Sequence, residues 1–141
     1  MAKVKTNRSL LMYIVLTVVT CGIYDLFFIN GIAKDVNAMC KDDGRKTKGI
    51  IGFIILTCVT CGIYGLVWWY GVANRVSENS GKYGLNISEN GTTWLLWSLF
   101  GSMLCGLGPL IALNTLCNNL NRLGEAYNKT LEAPAAPAAE A

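Results

Sequence analysis

The stretch LTVVTCGIYDLFF, beginning at Leu16, returns forty residues later as LTCVTCGIYGLVW, beginning at Leu56. Residues 16–37 and 56–77 align without a gap and agree at 12 of 22 positions, among them Thr20, Cys21, Gly22, Ile23, Tyr24, Gly31, Ala33 and Val36. A weaker third copy begins near Phe100. There Cys105 and Gly106 align with Cys21 and Gly22, Leu110 with Leu26, Asn114 with Asn30, Leu120 with Val36 and Asn121 with Asn37. A short repeat cannot bury its apolar face alone, so neighbouring copies stack into one quasi-symmetric body. That requirement limits the chain more than any single residue in it.

Each copy sits in a tract almost without charge. Residues 9–33 carry only Asp25, and residues 49–73 and 94–117 carry none. As a helix each tract of about 24 residues is roughly 36 Å long, against a hydrocarbon core of about 30 Å. Mean hydropathy is +0.39 and the apolar fraction 52%, values of a membrane protein rather than an ordinary soluble domain. The basic start followed by LLMYIVLTVV resembles a signal peptide. The same VTC recurs deep in the chain at Val59, Thr60 and Cys61, so the first tract is read as a membrane element that stays.

The repeated TCGIY is read as a break. Gly22, Gly62 and Gly106 permit a left-handed or kinked backbone, and the third copy adds Gly108 and Pro109. A second helix follows each break and turns amphipathic at Lys34, Asn74 and Asn118. The expected fold is all-α and integral to the membrane: three repeats of a glycine-broken helix pair, as re-entrant hairpins or kinked spans. The expected organisation is a basic segment at 1–8, a membrane domain at 9–128 with repeats at 9–47, 48–90 and 91–128, and a disordered Ala/Pro tail at 129–141.

Charge bears on that choice. Lys and Arg favour the cytoplasmic side of short connectors. Three simple spans would divide the 12 cations almost evenly between the two sides, whereas hairpins folded at their glycines put all 12 on one side. Hairpin arms are short, and a turn at lipid depth needs protein or water to cover its backbone. Re-entrant hairpins are favoured over kinked spans.

The run RSLLMYIVLTVVTCGIYDLFFINGIAKDVN carries a basic residue and Ser before an apolar stretch, then Thr-x-Gly-Ile-Tyr and a Lys-Asp-x-Asn end. Through Arg8, Ser9, Thr20, Gly22, Ile23, Tyr24, Lys34, Asp35 and Asn37, and through GPLIAL and NNLNRL near the other end, the chain resembles the uncharacterised small bacterial membrane proteins of domain of unknown function family 4234. It departs at Phe27, Phe28 and Ile29, where a tryptophan is expected; the second copy keeps Trp68 and Trp69. The resemblance implies a membrane protein and no assigned activity.

Chemistry-bearing patterns are sparse. The chain has no histidine, which excludes Ser-His and Cys-His nucleophilic pairs, and no phosphate-cradling glycine loop. Cys58 and Cys61 form one CxxC, and Cys21, Cys61 and Cys105 share one repeat position. Three thiolates on a symmetry axis suit a soft metal, but small buried packing residues beside the glycines are the favoured reading. No metal, no cofactor and no catalytic residue is expected. The loop KDDGRKTK is read as a solvated turn, and its cations as contacts to anionic headgroups rather than nucleic acid. Trp68, Trp69, Tyr70, Trp94 and Trp97 are read as interfacial anchors.

Two features concern function. Leu113, Leu116, Leu120, Leu123 and Tyr127 recur at coiled-coil spacing and are the candidate assembly seam of a homo-oligomer; the alternative is one amphipathic helix lying on its own protein or on the headgroups. Asp25 stands where the second copy has Gly65, and is either a helix-start cap or the lining of a pore. The expected function is a non-enzymatic protein of a bacterial inner membrane that self-associates as a structural or scaffolding element. Alternatives are an oligomeric pore or transport component lined near Asp25, and an accessory subunit of a larger membrane complex.

Overall fold

A computed structural model describes residues 2–132. Among the described residues the chain is all-α, with six helices and no strand. They are α1 (Leu10–Val19), α2 (Ile23–Met39), α3 (Ile50–Val59), α4 (Ile63–Ser80), α5 (Gly91–Leu99) and α6 (Gly108–Glu132).

The repeated Thr-Cys-Gly ends the first helix of each of the first two pairs. Gly22 donates its N–H to the Thr17 carbonyl at 2.8 Å and Cys21 to the Val18 carbonyl at 3.2 Å. Gly62 and Cys61 repeat this on Thr57 and Cys58 at 2.8 and 3.3 Å. This is the Schellman arrangement, which satisfies the last carbonyls of a helix. Its left-handed position is occupied by cysteine, with φ 52° at both Cys21 and Cys61, and the next residue is glycine at φ 89° and 94°. The threonine closes the other side. Thr20 Oγ1 donates to the Leu16 carbonyl at 2.7 Å and accepts the Tyr24 N–H at 2.9 Å; Thr60 does the same with Leu56 and Tyr64 at 2.7 and 2.8 Å.

The chain therefore doubles back. Tyr13 and Phe28 rings meet at 4.6 Å and Phe53 and Trp68 rings at 5.2 Å, each pair nearly equidistant from its turn. Trp68 also donates to the Lys48 carbonyl at 2.9 Å, at the far end of the same pair. These pairs are hairpins, not kinked rods. Arms such as α1, with 10 residues, are about 15 Å long. Among the described residues no helix is long and apolar enough to cross a membrane.

The third pair reverses differently. Cys105 (φ 53°) and Gly106 (φ 74°) supply the left-handed residues, after a 3-10 turn at Gly101–Met103. Gly108 and Pro109, expected to break the helix, instead open α6. Proline suits a first helical turn, where its missing N–H has no intrahelical acceptor anyway. Gly108 serves close approach: a Cβ there would lie 2.1 Å from the Trp97 carbonyl oxygen and 2.4 Å from Gly101 Cα.

The core is made by the later halves of α2, α4 and α6, with Ile32, Val36, Met39, Val72, Val76, Leu116, Leu120 and Leu123 buried together. This corrects the assembly seam. Leu116, Leu120, Leu123 and Tyr127 are buried within one chain, and Leu113 packs partly buried against them, so the stripe is no free face for a second copy. Helix α6 runs to Glu132, past Lys129 where the tail was expected to begin; the rest of that expected tail, 133–141, lies outside the described residues.

Candidate functional site

The molecule has two chemically opposite ends. At one end the segments that lead into each hairpin are clamped by polar side chains of α2, α4 and α6. Positions 35, 75 and 119 are equivalent in the repeat and carry Asp, Arg and Asn. Asp35 accepts from the Arg8 guanidinium, whose side chain is 2% exposed, and from the Lys5 N–H at 3.2 Å, both ahead of α1. Arg75 grips the connector ahead of α3. It donates to Asp43 through Nε at 2.8 Å and Nη2 at 3.0 Å, to Thr47 Oγ1 at 2.7 Å and to the Cys40 and Arg45 carbonyls at 3.1 and 2.9 Å. Asn119 donates to Glu89, ahead of α5, at 3.4 Å.

Two residues further on, positions 37, 77 and 121 hold the entry to the next hairpin. Asn37 makes a paired bond with the Thr47 backbone, accepting its N–H at 2.7 Å and donating to its carbonyl at 2.9 Å. Asn121 does likewise with Arg8 at 2.9 and 2.7 Å. Ser77 donates to the Ile87 carbonyl at 2.6 Å. Each entry segment is thus held by two helices, and the three hairpins form a closed ring. Asn128 adds a further paired bond to Val4 at 2.9 Å.

The electrostatics follow from burial. Burial alone would push the Asp43 carboxyl up; hydrogen bonds from Arg75, the Arg45 backbone and Asn79 overcome this and hold it at about 2. Burial raises the Cys40 thiol to about 11 despite nearby Arg75, so it stays neutral. The KDDGRKTK loop is therefore not simply a solvated turn. Asp43 and Thr47 face inward, and Arg45 pairs with Glu78 outside the Arg75 cluster.

The other end is apolar. The large hydrophobic residues left exposed fall in three windows, 11–27, 51–67 and 96–111, each centred on a turn. Val59 is 75% exposed and Met103 84%. No residue of α1 or α3 is buried. Cys21, Cys61 and Cys105 are exposed at the turns, which corrects their reading as buried packing residues: the repeat places each at the left-handed corner, where its side chain leaves the helix surface. Among the described residues no three acidic, cysteine or histidine side chains gather as a metal site.

Asp25 lies in the first turn of α2 rather than at its N-cap, which is Gly22. It accepts instead from the Tyr13 hydroxyl across the hairpin at 2.7 Å. It is partly buried against its own hairpin. Of the tryptophans read as interfacial, Trp68 is 4% exposed and belongs to the core, edge-on to Trp69, which stacks on Trp94 at 6.0 Å.

Arg75 and Asp35 as clamps were not foreseen. The available signal was an arginine on the inner side of an otherwise apolar helix face, with an acidic Asp-Asp-Gly connector nearby to neutralise it.

Residues 8–53 and 48–122 match the domain of unknown function DUF4234. The chain belongs to that family. No curated protein and no solved structure matches the chain.

Proposed function

We propose that this DUF4234 protein is a non-enzymatic structural element of a bacterial cytoplasmic membrane, held in one leaflet by three re-entrant hairpins. The observation that carries the reading is the clustering of exposed apolar side chains around the three turns, at the end opposite the charged clamps. Soluble proteins rarely expose contiguous apolar patches beyond a few hundred Å². A hairpin arm of about 15 Å matches half of a hydrocarbon core about 30 Å thick. A turn in lipid is costly when its backbone groups are unpaired; the threonine and Schellman bonds lower that cost here. All 12 cations then lie on one face.

The pore alternative draws less support, since Asp25 is engaged by Tyr13 and each hairpin reaches about half the bilayer. A scaffolding role that includes self-association has to use a surface other than the α6 stripe.

Single cysteines at Asn7, Lys46 and Asn86, in a background with the native thiols replaced, test the reading in sealed membranes. Hairpins place all three on the cytoplasmic side, so a membrane-impermeant maleimide labels all three only in inverted vesicles. Kinked spans put Lys46 opposite the other two. Labelling of Lys46→Cys from the opposite side would sink the hairpin arrangement.

A further inference from the structure

A groove of about 350 Å³ runs between the connector ahead of α3 and α4. Its upper wall is Lys46, Thr47 and Lys48; its lower wall is Tyr64, Val67 and Trp68. Charge lies at one end and apolar surface at the other, and the apolar end is continuous with the exposed window 51–67. Among the described residues Lys46 and Lys48 have no acidic partner, whereas Arg45 and Arg75 beside them are already paired with Glu78 and Asp43. The groove is also held in shape from three sides. Trp68 fixes the Lys48 carbonyl, Asn37 fixes the Thr47 backbone, and Arg75 fixes Thr47 Oγ1.

We propose that this groove is a binding site for one anionic phospholipid, its phosphate at Lys46 and Lys48 and an acyl chain along Tyr64 and Val67. Two uncompensated ammonium groups above an apolar wall match a headgroup carrying net negative charge above a chain; a zwitterionic headgroup offers those ammonium groups less. The inference rests on the hairpin reading for the orientation of the molecule, and it adds the lipid class and the site.

Delipidated full-length protein in neutral detergent is titrated with phosphatidylglycerol or with phosphatidylcholine of the same chains, and bound lipid is counted by native mass spectrometry. Phosphatidylglycerol should bind more tightly, and Lys46→Gln with Lys48→Gln should weaken it about 25-fold, about fivefold per lysine. Val67→Trp, which fills the apolar end and leaves the charges, should weaken it as well. Both variants alter exposed residues, so thermal unfolding should match the wild type. Equal binding of the two lipids, undiminished binding by the double variant, or displacement of the lipid by an equal concentration of inorganic phosphate would overturn the site. Flotation with phosphatidylcholine vesicles separates this from the hairpin reading. Protein that floats but shows no preference for phosphatidylglycerol loses the groove alone; protein that does not float loses the hairpins.

Discussion

Hairpins one and two have the same backbone and different polar contents. The first carries Tyr13 and Asp25, joined by a hydrogen bond at 2.7 Å. Forty positions on, the second carries Phe53 and Gly65, with the Phe53 ring 3.9 Å from where a Cβ on Gly65 would lie. Hydroxyl and carboxylate are present together in one hairpin and absent together in the other. At the charged end the same comparison shows an inversion. In the first repeat the helix supplies the acid, Asp35, and the entry segment the base, Arg8; in the second the helix supplies Arg75 and the connector Asp43. The repeat thus preserves the pairing of polar groups rather than their identity, as expected where an unpartnered buried group costs more than a partnered one gains.

The largest break should come at the inverted ion pair. Arg75→Met leaves Asp43 buried without its partner and should cost about 3–5 kcal/mol of stability, read as thermal unfolding in detergent. Arg8→Met should cost less, because Arg8 makes two side-chain bonds where Arg75 makes six. Next is Tyr13→Phe, which should cost about 2 kcal/mol by leaving the Asp25 carboxylate unpartnered. Adding Asp25→Gly to it rebuilds the second hairpin's chemistry in the first and should recover most of the loss. A double variant less stable than Tyr13→Phe alone would show that the two residues do not act as a pair.

Acid should separate the repeats by a comparable amount. Asp43 is held at about 2 against an ordinary 3.8. A depressed carboxyl contributes stability that is present above its unfolded value and lost as pH falls through its folded value. The contribution is about 2 kcal/mol, so the unfolding midpoint should hold from about pH 7 to 5 and fall between about pH 4 and 2. Asp43→Asn should remove that part of the acid dependence. The smallest effect concerns the corners. Gly62→Val forces a β-branched residue to φ 94° and should destabilise the protein, whereas Cys61→Gly at φ 52° should be neutral or stabilising by at most about 1 kcal/mol, from relief of left-handed strain. A Cys61→Gly loss as large as that of Gly62→Val would mean the thiol itself matters.

Much of the architecture could be read from residues. The TCGIY repeat located the two strongest breaks, and the switch to amphipathic character at Lys34, Asn74 and Asn118 located the helices that form the core. The α6 leucines were legible as an apolar stripe. Periodicity describes a face but not its partner, so it could not say that α2 and α4 of the same chain cover it. The left-handed cysteines were hidden because glycine explains a turn well enough that the residue before it attracts no notice. The clamps were hidden because positions 35, 75 and 119 carry acid, base and amide, and an identity-based alignment discards such a site. The Tyr13–Asp25 pair was hidden because Asp25 read as a cap or a pore lining, and nothing in the spacing marks a phenol twelve residues earlier as its donor.

The closed ring of entry segments bears on how the protein comes apart. Open repeat arrays fray from their terminal units, because each repeat touches only its neighbours. Here the segment at Val4–Arg8 is bonded to Asn121 and Asn128 of the last helix and to Asp35 of the first hairpin, so the terminal unit of such an array is missing. Loosening any hairpin releases the grip on two segments at once. Hydrogen exchange at the amides of α2, α4 and α6 should therefore report one shared opening rather than a gradient along the chain.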